Sequence, residues 1–124
     1  MAYKYDDENI FAKILLGEIP NDTVLENEYA LAFRDINPQR PHHVLIIPKG
    51  RYISFDHFAK EASNDEIIGY IQAIGAVCDL LNVSIDNGDG FRMIANSGEH
   101  GVQEVPHLHV HILGGSSCGR MIQS

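Results

Sequence analysis

The sequence predicts an α+β domain with about five antiparallel strands, one short helix and one long helix. Three observations predict it. Short apolar runs recur between turn-forming residues at hairpin spacing, rather than alternating with helices as parallel units would. One long stretch, residues 64–81, carries apolar side chains at the helical period. Near the C-terminus, His107, His109 and His111 alternate with Leu108, Val110 and Ile112, the period of two of a half-buried strand.

Residues 7–16 read as the short helix, capped by Asp6 or Asp7, with Glu8 favourable near its positive end. Ile10, Phe11, Ile14 and Leu15 form its inward stripe; Gly17 ends it and Pro20 follows. Residues 23–26 and 29–34 read as two strands around a tight turn at Asn27-Glu28. Pro38 and Pro41 mark an irregular connection, and residues 43–47 form a strand that Pro48 ends. Residues 49–63 show no clear pattern, although Tyr52, Ile53 and Phe55 are apolar enough to pack.

Ser63 or Asn64 caps the long helix, and Asp65 and Glu66 favour its N-terminus. Ile67, Ile71, Ile74, Cys78 and Leu81 make one stripe, expected to face inward. Ile68, Gly75 and Leu80 broaden the apolar character. A helix apolar on more than one face is buried on more than one side, which hints at a dimer. Residues 86–90 are a turn cluster, 91–95 a strand, 96–101 a loop and 107–113 the last strand. Gly114 and Gly115 then let the chain bend or approach a bound group.

A chain of 124 residues suits one domain, spanning 1–124. With 44% apolar and 21% charged residues it has the composition of a soluble globular protein. Nine basic residues against 17 acidic leave a net charge of -8, which repels phosphate polymers, so no nucleic-acid polymer is expected as a partner. A small nucleotide in a local pocket remains compatible with that charge. Cys78 falls in the long helical pattern and reads as a small buried hydrophobe; Cys118 lies in a Gly/Ser-rich tail. No apolar run approaches the ~18 residues of a membrane span, and the first residues lack an apolar signal core. The expectation is a cytoplasmic protein without membrane contact.

The three same-face histidines carry the chemistry. They sit about 6–7 Å apart along a strand, given its rise of ~3.3 Å per residue. Three readings are open: a solvated face, a metal site, and nucleotide chemistry with one imidazole as nucleophile and its neighbours as phosphate donors. The metal reading is weakened by spacing. Zn–N bonds of ~2.1 Å require ligating nitrogens within about 4 Å of each other, and no cysteine cluster supplies further ligands. Neither a metal nor another cofactor is expected.

The run His107-Leu-His-Val-His111 followed by Ile112 and Leu113 resembles the signature of the histidine triad (HIT) proteins. Phe33-Arg-Asp35-Ile36-Asn-Pro38, His43-Val-Leu-Ile-Ile-Pro48-Lys49 and Gly90-Phe-Arg-Met-Ile-Ala-Asn96 resemble blocks of the nucleotide-binding, Hint-like branch, so the similarity covers nearly the whole chain. The resemblance implies a HIT-type α+β fold whose dimer forms a continuous sheet, with a purine nucleotide on the triad face. It implies that His109 is the nucleophile, with its second ring nitrogen donating to a triad-strand carbonyl, here that of His107. His111 would donate to a phosphoryl oxygen, His107 would orient its neighbours and His43 would contact the triad. His42 has no match and reads as a surface residue.

The same resemblance implies that Asp35 grips the ribose hydroxyls, although an Asx-type turn before Asn37-Pro38 would also use it. Phe11, Ile14, Phe33, Ile36 and Leu45 resemble the wall around the base, a role compatible with core packing. Asn96 matches a residue reaching phosphate, Gln103 occupies a similar entry position, and backbone N–H groups of 101–105 are further donors. Three departures stand out. Glu104 replaces a common serine, Arg51 stands where many members have histidine, and the tail 116–124 lacks the Trp-Pro-Pro ending of some relatives. The implied activity is hydrolysis of purine nucleoside phosphoramidates to AMP or GMP through a nucleotidyl-histidine. Its alternatives are a dinucleoside polyphosphate hydrolase and a non-catalytic nucleotide-binding regulator.

Overall fold

The computed structural model describes residues 3–122; the ends of the expected 1–124 domain, residues 1, 2, 123 and 124, lie outside the described residues. In chain order the elements are α1 (Ile10–Leu15), β1 (Thr23–Glu26), β2 (Ala30–Arg34), β3 (His42–Pro48), α2 (Phe55–Glu61), α3 (Asn64–Leu80), β4 (Phe91–Ala95) and β5 (Val110–Gly114). The five strands form one antiparallel sheet in the order β1-β2-β3-β5-β4, so the α+β expectation holds.

The alternation along the strands sorts the apolar residues into two clusters. Ala30, Ala32, Val44, Ile46, Val110 and Ile112 face α2 and α3 in the main core. Leu31, Phe33, Leu45 and Ile47 face the other way, onto Phe11 of α1. The central strands β2 and β3 are therefore buried on both faces, which explains their near-continuous apolar runs. Facing β3, the register places His111 opposite Leu45 and Leu113 opposite His43, which puts His43 and His111 on the α1 side of the sheet.

Several elements depart from the sequence expectation. α1 begins later than residue 7 because Asn9, not Asp6 or Asp7, is its N-cap; the Asn9 side chain accepts from the Ala12 N–H at 2.9 Å. The unassigned 49–63 stretch contains α2, capped by Ser54. α3 begins with a capping box in which Ser63 and Glu66 satisfy each other's backbone N–H. Of its expected inward stripe, Ile74, Cys78 and Leu81 are buried and Ile67 packs against the core, joined by Tyr70, Ala73 and Val77, whereas Ile71 is 53% exposed. The buried face is centred on Tyr70, Ala73, Ile74 and Val77, which leaves Ile71 at its margin. Ile68, Ile71 and Leu80 remain exposed, with Ile68 and Ile71 neighbours one turn apart and Leu80 on the opposite flank of the helix.

The last strand is shorter than 107–113. Antiparallel pairing runs from His42–Gly114 to Ile46–Val110, and the next facing residues approach Pro48, which has no N–H to give the ladder. His107 and His109 therefore precede β5 in an extended segment tied by the Leu108 N–H to the Tyr52 carbonyl at 2.8 Å. The alternation survives, since Leu108 joins Val110 and Ile112 in the main core. Gly115, with φ +89°, makes the bend expected there, and both glycines stand where a side chain would crowd its neighbours. A Cβ on Gly114 would lie 2.7 Å from Val83, and one on Gly115 2.8 Å from Pro41.

Tyr70 is fully buried and donates to the Ile46 carbonyl at 2.8 Å, tying α3 to the middle of the sheet. Tyr70→Phe should lower unfolding stability by about 1 kcal/mol, the worth of one such bond, as read from denaturant midpoints.

Candidate active site

Four imidazoles converge where β3 and β5 meet the segment entering β5. His43, His107 and His109 are buried, and His111 is half-buried. Their backbone and side-chain partners assign the tautomer of each ring. His109 Nδ1 lies 2.8 Å from the His107 carbonyl, which only accepts, so Nδ1 carries the proton and Nε2 carries the lone pair. His107 Nε2 lies 2.8 Å from the Pro48 carbonyl and donates to it, which leaves Nδ1 to accept from the Tyr5 hydroxyl.

A second chain of bonds sets the other two rings. The Gln39 N–H donates to His43 Nδ1 at 3.1 Å, so the His43 proton sits on Nε2. His43 Nε2 is 2.9 Å from His111 Nδ1 and 3.5 Å from Asp35 Oδ2. His111 therefore accepts at Nδ1 and presents an Nε2–H donor. The ring of Phe11 meets that of His109 edge to face, with centroids 4.9 Å apart, and limits its rotation.

Burial keeps these rings uncharged. It pushes the His107 pKa down to about 4. For His111 burial acts first and the neighbouring His109 and His43 act in the same direction, again to about 4. Burial also lowers His109, opposed by its bond to the His107 carbonyl and by the Asp35 and Glu104 carboxylates. His43 is lowered by burial against the pull of Asp35.

The imidazoles of His109 and His111 border an open pocket of about 320 Å³, which Phe11, Asp35, Leu45 and Asn96 also line. Glu104 lies at its rim, and among the described residues no lysine or arginine lines it. Asp35 has a structural duty as well. Its Oδ1 accepts from the Asn37 N–H at 2.8 Å, the Asx turn the sequence allowed. The Asn96 side chain donates to the Gly101 carbonyl at 2.7 Å and so shapes the loop over the pocket.

Other candidate residues lie apart from it. Ile36 is 91% exposed and forms no wall; Phe33 is buried in the α1-side cluster, and Ile14 packs against that cluster. Gln103 staples the loop instead of lining the pocket: it donates to the Ile53 and Val105 carbonyls and accepts from the Gly98 N–H. His42 is half-buried, not a surface residue, and its Nδ1 is enclosed without a partner among the described residues. It borders a larger cavity of about 680 Å³ beneath the tail, which contains none of the other site histidines. Tyr5 and the Pro48 carbonyl were invisible as site groups in the sequence. A carbonyl is common to every residue, and Tyr5 lies 102 positions from His107.

Three ligand-type atoms, one each from Asp35, His43 and His111, lie within 4.8 Å of one another. This trio differs from the three-histidine set considered in the sequence. Cys78 and Cys118 are both free thiols.

A neutral, oriented imidazole stands beside a second one that donates, in a pocket with a carboxylate, on an α+β sheet. The HIT domain family model matches residues 16–118, and the chain belongs to that family. It is 49% identical over 98% of both chains to an uncharacterized 13.2 kDa HIT-like protein of Azospirillum brasilense. It is 39% identical to the purine nucleoside phosphoramidase of Escherichia coli, with 94% of each chain covered. A 14 kDa zinc-binding protein of Zea mays is 45% identical, covering 89% of this chain and 84% of that one. Among solved structures, a histidine triad protein from Clostridium difficile superposes with a TM-score of 0.80 at 36% identity, covering 94% of this chain and 98% of that one.

The lowered histidines set a pH dependence of stability. His107 and His111 bind a proton with pKa about 4 in the folded protein against 6.5 for an ordinary histidine, so the unfolded chain carries more protons between those values. Their contribution is complete above pH 6.5 and is lost as pH falls toward 4. Denaturant midpoints should therefore drop as pH is lowered through that window, and should drop less in His111→Asn.

Proposed function

We propose that this protein hydrolyses purine nucleoside phosphoramidates, releasing AMP or GMP through a covalent intermediate on His109. The observation that carries the reading is the bond from His109 Nδ1 to the His107 carbonyl, which leaves Nε2 as a lone pair beside the pocket. The 39% identity to a purine nucleoside phosphoramidase supports the same reaction.

In the first step the Nε2 lone pair attacks phosphorus, an N–P bond forms, and the bond from phosphorus to the leaving amine breaks. The amine takes its proton from solvent at the open rim beside Glu104. In the second step water attacks phosphorus and gives up a proton to solvent, the His109–phosphorus bond breaks, and the ring nitrogen recovers its lone pair. The Nε2–H of His111 donates to the phosphoryl oxygen on which charge grows, and Asn96 and backbone N–H groups of the 101–105 loop add donors. Asp35 receives the ribose hydroxyls through the oxygen now near His43, while Phe11 and Leu45 flank the base.

A second copy of the chain completes the assembly as a homodimer. β4 is an edge strand, and the exposed Ile68 and Ile71 of α3 give an apolar face for the contact. Two free thiols fit a reducing cytoplasm.

His109→Asn should abolish release of AMP from an adenosine phosphoramidate, by at least about a thousandfold in kcat, and leave AMP binding within about threefold. Turnover retained in that variant sinks the mechanism. Faster cleavage of a diadenosine polyphosphate than of the phosphoramidate reassigns the substrate.

A cation-binding reading is favoured by one observation, the Asp35–His43–His111 trio, and by the maize relative's name. Zinc there would take the His111 Nδ1 lone pair and the Asp35 carboxylate offered to the ribose, and would require the His43 Nε2 proton to leave that nitrogen. Under this reading purified protein dialysed against zinc retains about one ion per chain, His43→Asn retains none, and zinc inhibits turnover. Elemental analysis decides it.

A further inference from the structure

The N-terminal arm, residues 3–9, crosses the protein to reach the triad from behind. Two tyrosines hold it. Tyr3 stacks on His57 with centroids 4.2 Å apart and donates to Asp56 at 2.8 Å. Tyr5 packs edge to face on His107, its ring covered by the Arg51 guanidinium at 5.2 Å, and its hydroxyl meets His107 Nδ1. Arg51 also forms a bidentate pair with Asp7 of the same arm, at 2.8 and 2.9 Å. Arg51, which stands where many members have histidine, thus adds a third fastening to this arm.

His107 is fully buried, so no solvent reaches its Nδ1. Of the two ring nitrogens, Nε2 must carry the proton to donate to the Pro48 carbonyl. Nδ1 is then a buried acceptor that requires a donor, and the Tyr5 hydroxyl supplies it. Burial raises the Tyr5 phenol above its ordinary value, so it keeps its proton at neutral pH. The main chain of the same residue, His107, carries the carbonyl that orders His109.

We propose that Tyr5 is a positioning residue for the reaction: its hydroxyl fixes the tautomer of His107 and, through the His107 carbonyl, the aim of His109. The proposal rests on His109 being the nucleophile. Without the hydroxyl, the ring has two options. It keeps the proton on Nε2 and leaves Nδ1 unsatisfied, or it moves the proton to Nδ1 and sets two lone pairs against each other at Pro48. Either option loosens the segment that presents the carbonyl to His109, so the loss falls on the attack and not on the pocket that holds the nucleotide.

The test compares Tyr5→Phe with Tyr3→Phe, which removes the same group from the same arm at a site away from the triad. Imidazole nitrogen shifts are read by NMR on protein labelled with nitrogen-15, beside kcat and KM for an adenosine phosphoramidate. Tyr5→Phe should move the His107 Nδ1 resonance toward that of a free acceptor or reveal the second tautomer. It should lower kcat about three- to tenfold, the rate equivalent of one hydrogen bond, with KM within about twofold. Tyr3→Phe should leave both readouts unchanged. Unaltered His107 shifts in Tyr5→Phe overturn the proposal whatever the rate does, and so does an equal rate loss in Tyr3→Phe, which would make arm docking the cause. If the unsubstituted protein fails to hydrolyse phosphoramidates, the reaction assignment falls separately, and the His107 and His109 shifts still decide the link from Tyr5.

Discussion

A single main-chain oxygen governs the site. The His107 carbonyl can only accept, and His109 Nδ1 stands 2.8 Å from it, so the ring has no choice about which nitrogen holds its proton. Everything asked of His109 follows from that direction. The same logic runs through its neighbours, where the Pro48 carbonyl and the Gln39 N–H settle His107 and His43, and His43 settles His111. The protein orients three imidazoles by main-chain groups that cannot titrate, and the fourth, His111, through one of those three. Burial then removes the remaining freedom by disfavouring the doubly protonated form of each ring.

The sheet supports this wiring. β3 supplies His43 and Leu45 to the pocket face, Val44 and Ile46 to the main core, and the Pro48 carbonyl at its end. Pro48 has two consequences from one chemical fact. Lacking an N–H, it stops the β5 ladder before His107, and its carbonyl is then free to receive the His107 ring. The short extended segment ahead of β5 is thereby released from sheet pairing while staying tied to Tyr52.

Much of this was legible in the sequence, for identifiable reasons. The period-two pattern of residues 107–112 placed the histidines opposite Leu108, Val110 and Ile112, because alternation is a property of extended backbone whether or not a ladder forms. The five strands and the long helix follow from runs bounded by turn residues. What was not legible depends on contacts distant in the chain. The stripe of α3 was legible except at Ile71, which lies at the margin of a buried face centred on Tyr70 and Ile74, where only packing decides exposure. Ile36 reads as a wall residue beside Asp35, yet the Asx turn directs it outward. Gln103 reads as a ligand contact, yet its amide closes a loop. Tyr5 and α2 gave no signal because nothing local distinguishes them.

The lining of the pocket has one more consequence. Among the described residues it contains neutral imidazoles, amides and two carboxylates, and no guanidinium or ammonium. Such a surface grips an anion through aimed dipoles, with no opposite charge to hold it by long-range attraction. A phosphorus centre carrying one negative charge suits it better than one carrying two. Under the proposed reaction the substrate is a monoanion and the released monophosphate approaches a dianion at neutral pH. The chemistry itself then weakens the hold on what it makes, and the cleft clears without a moving part.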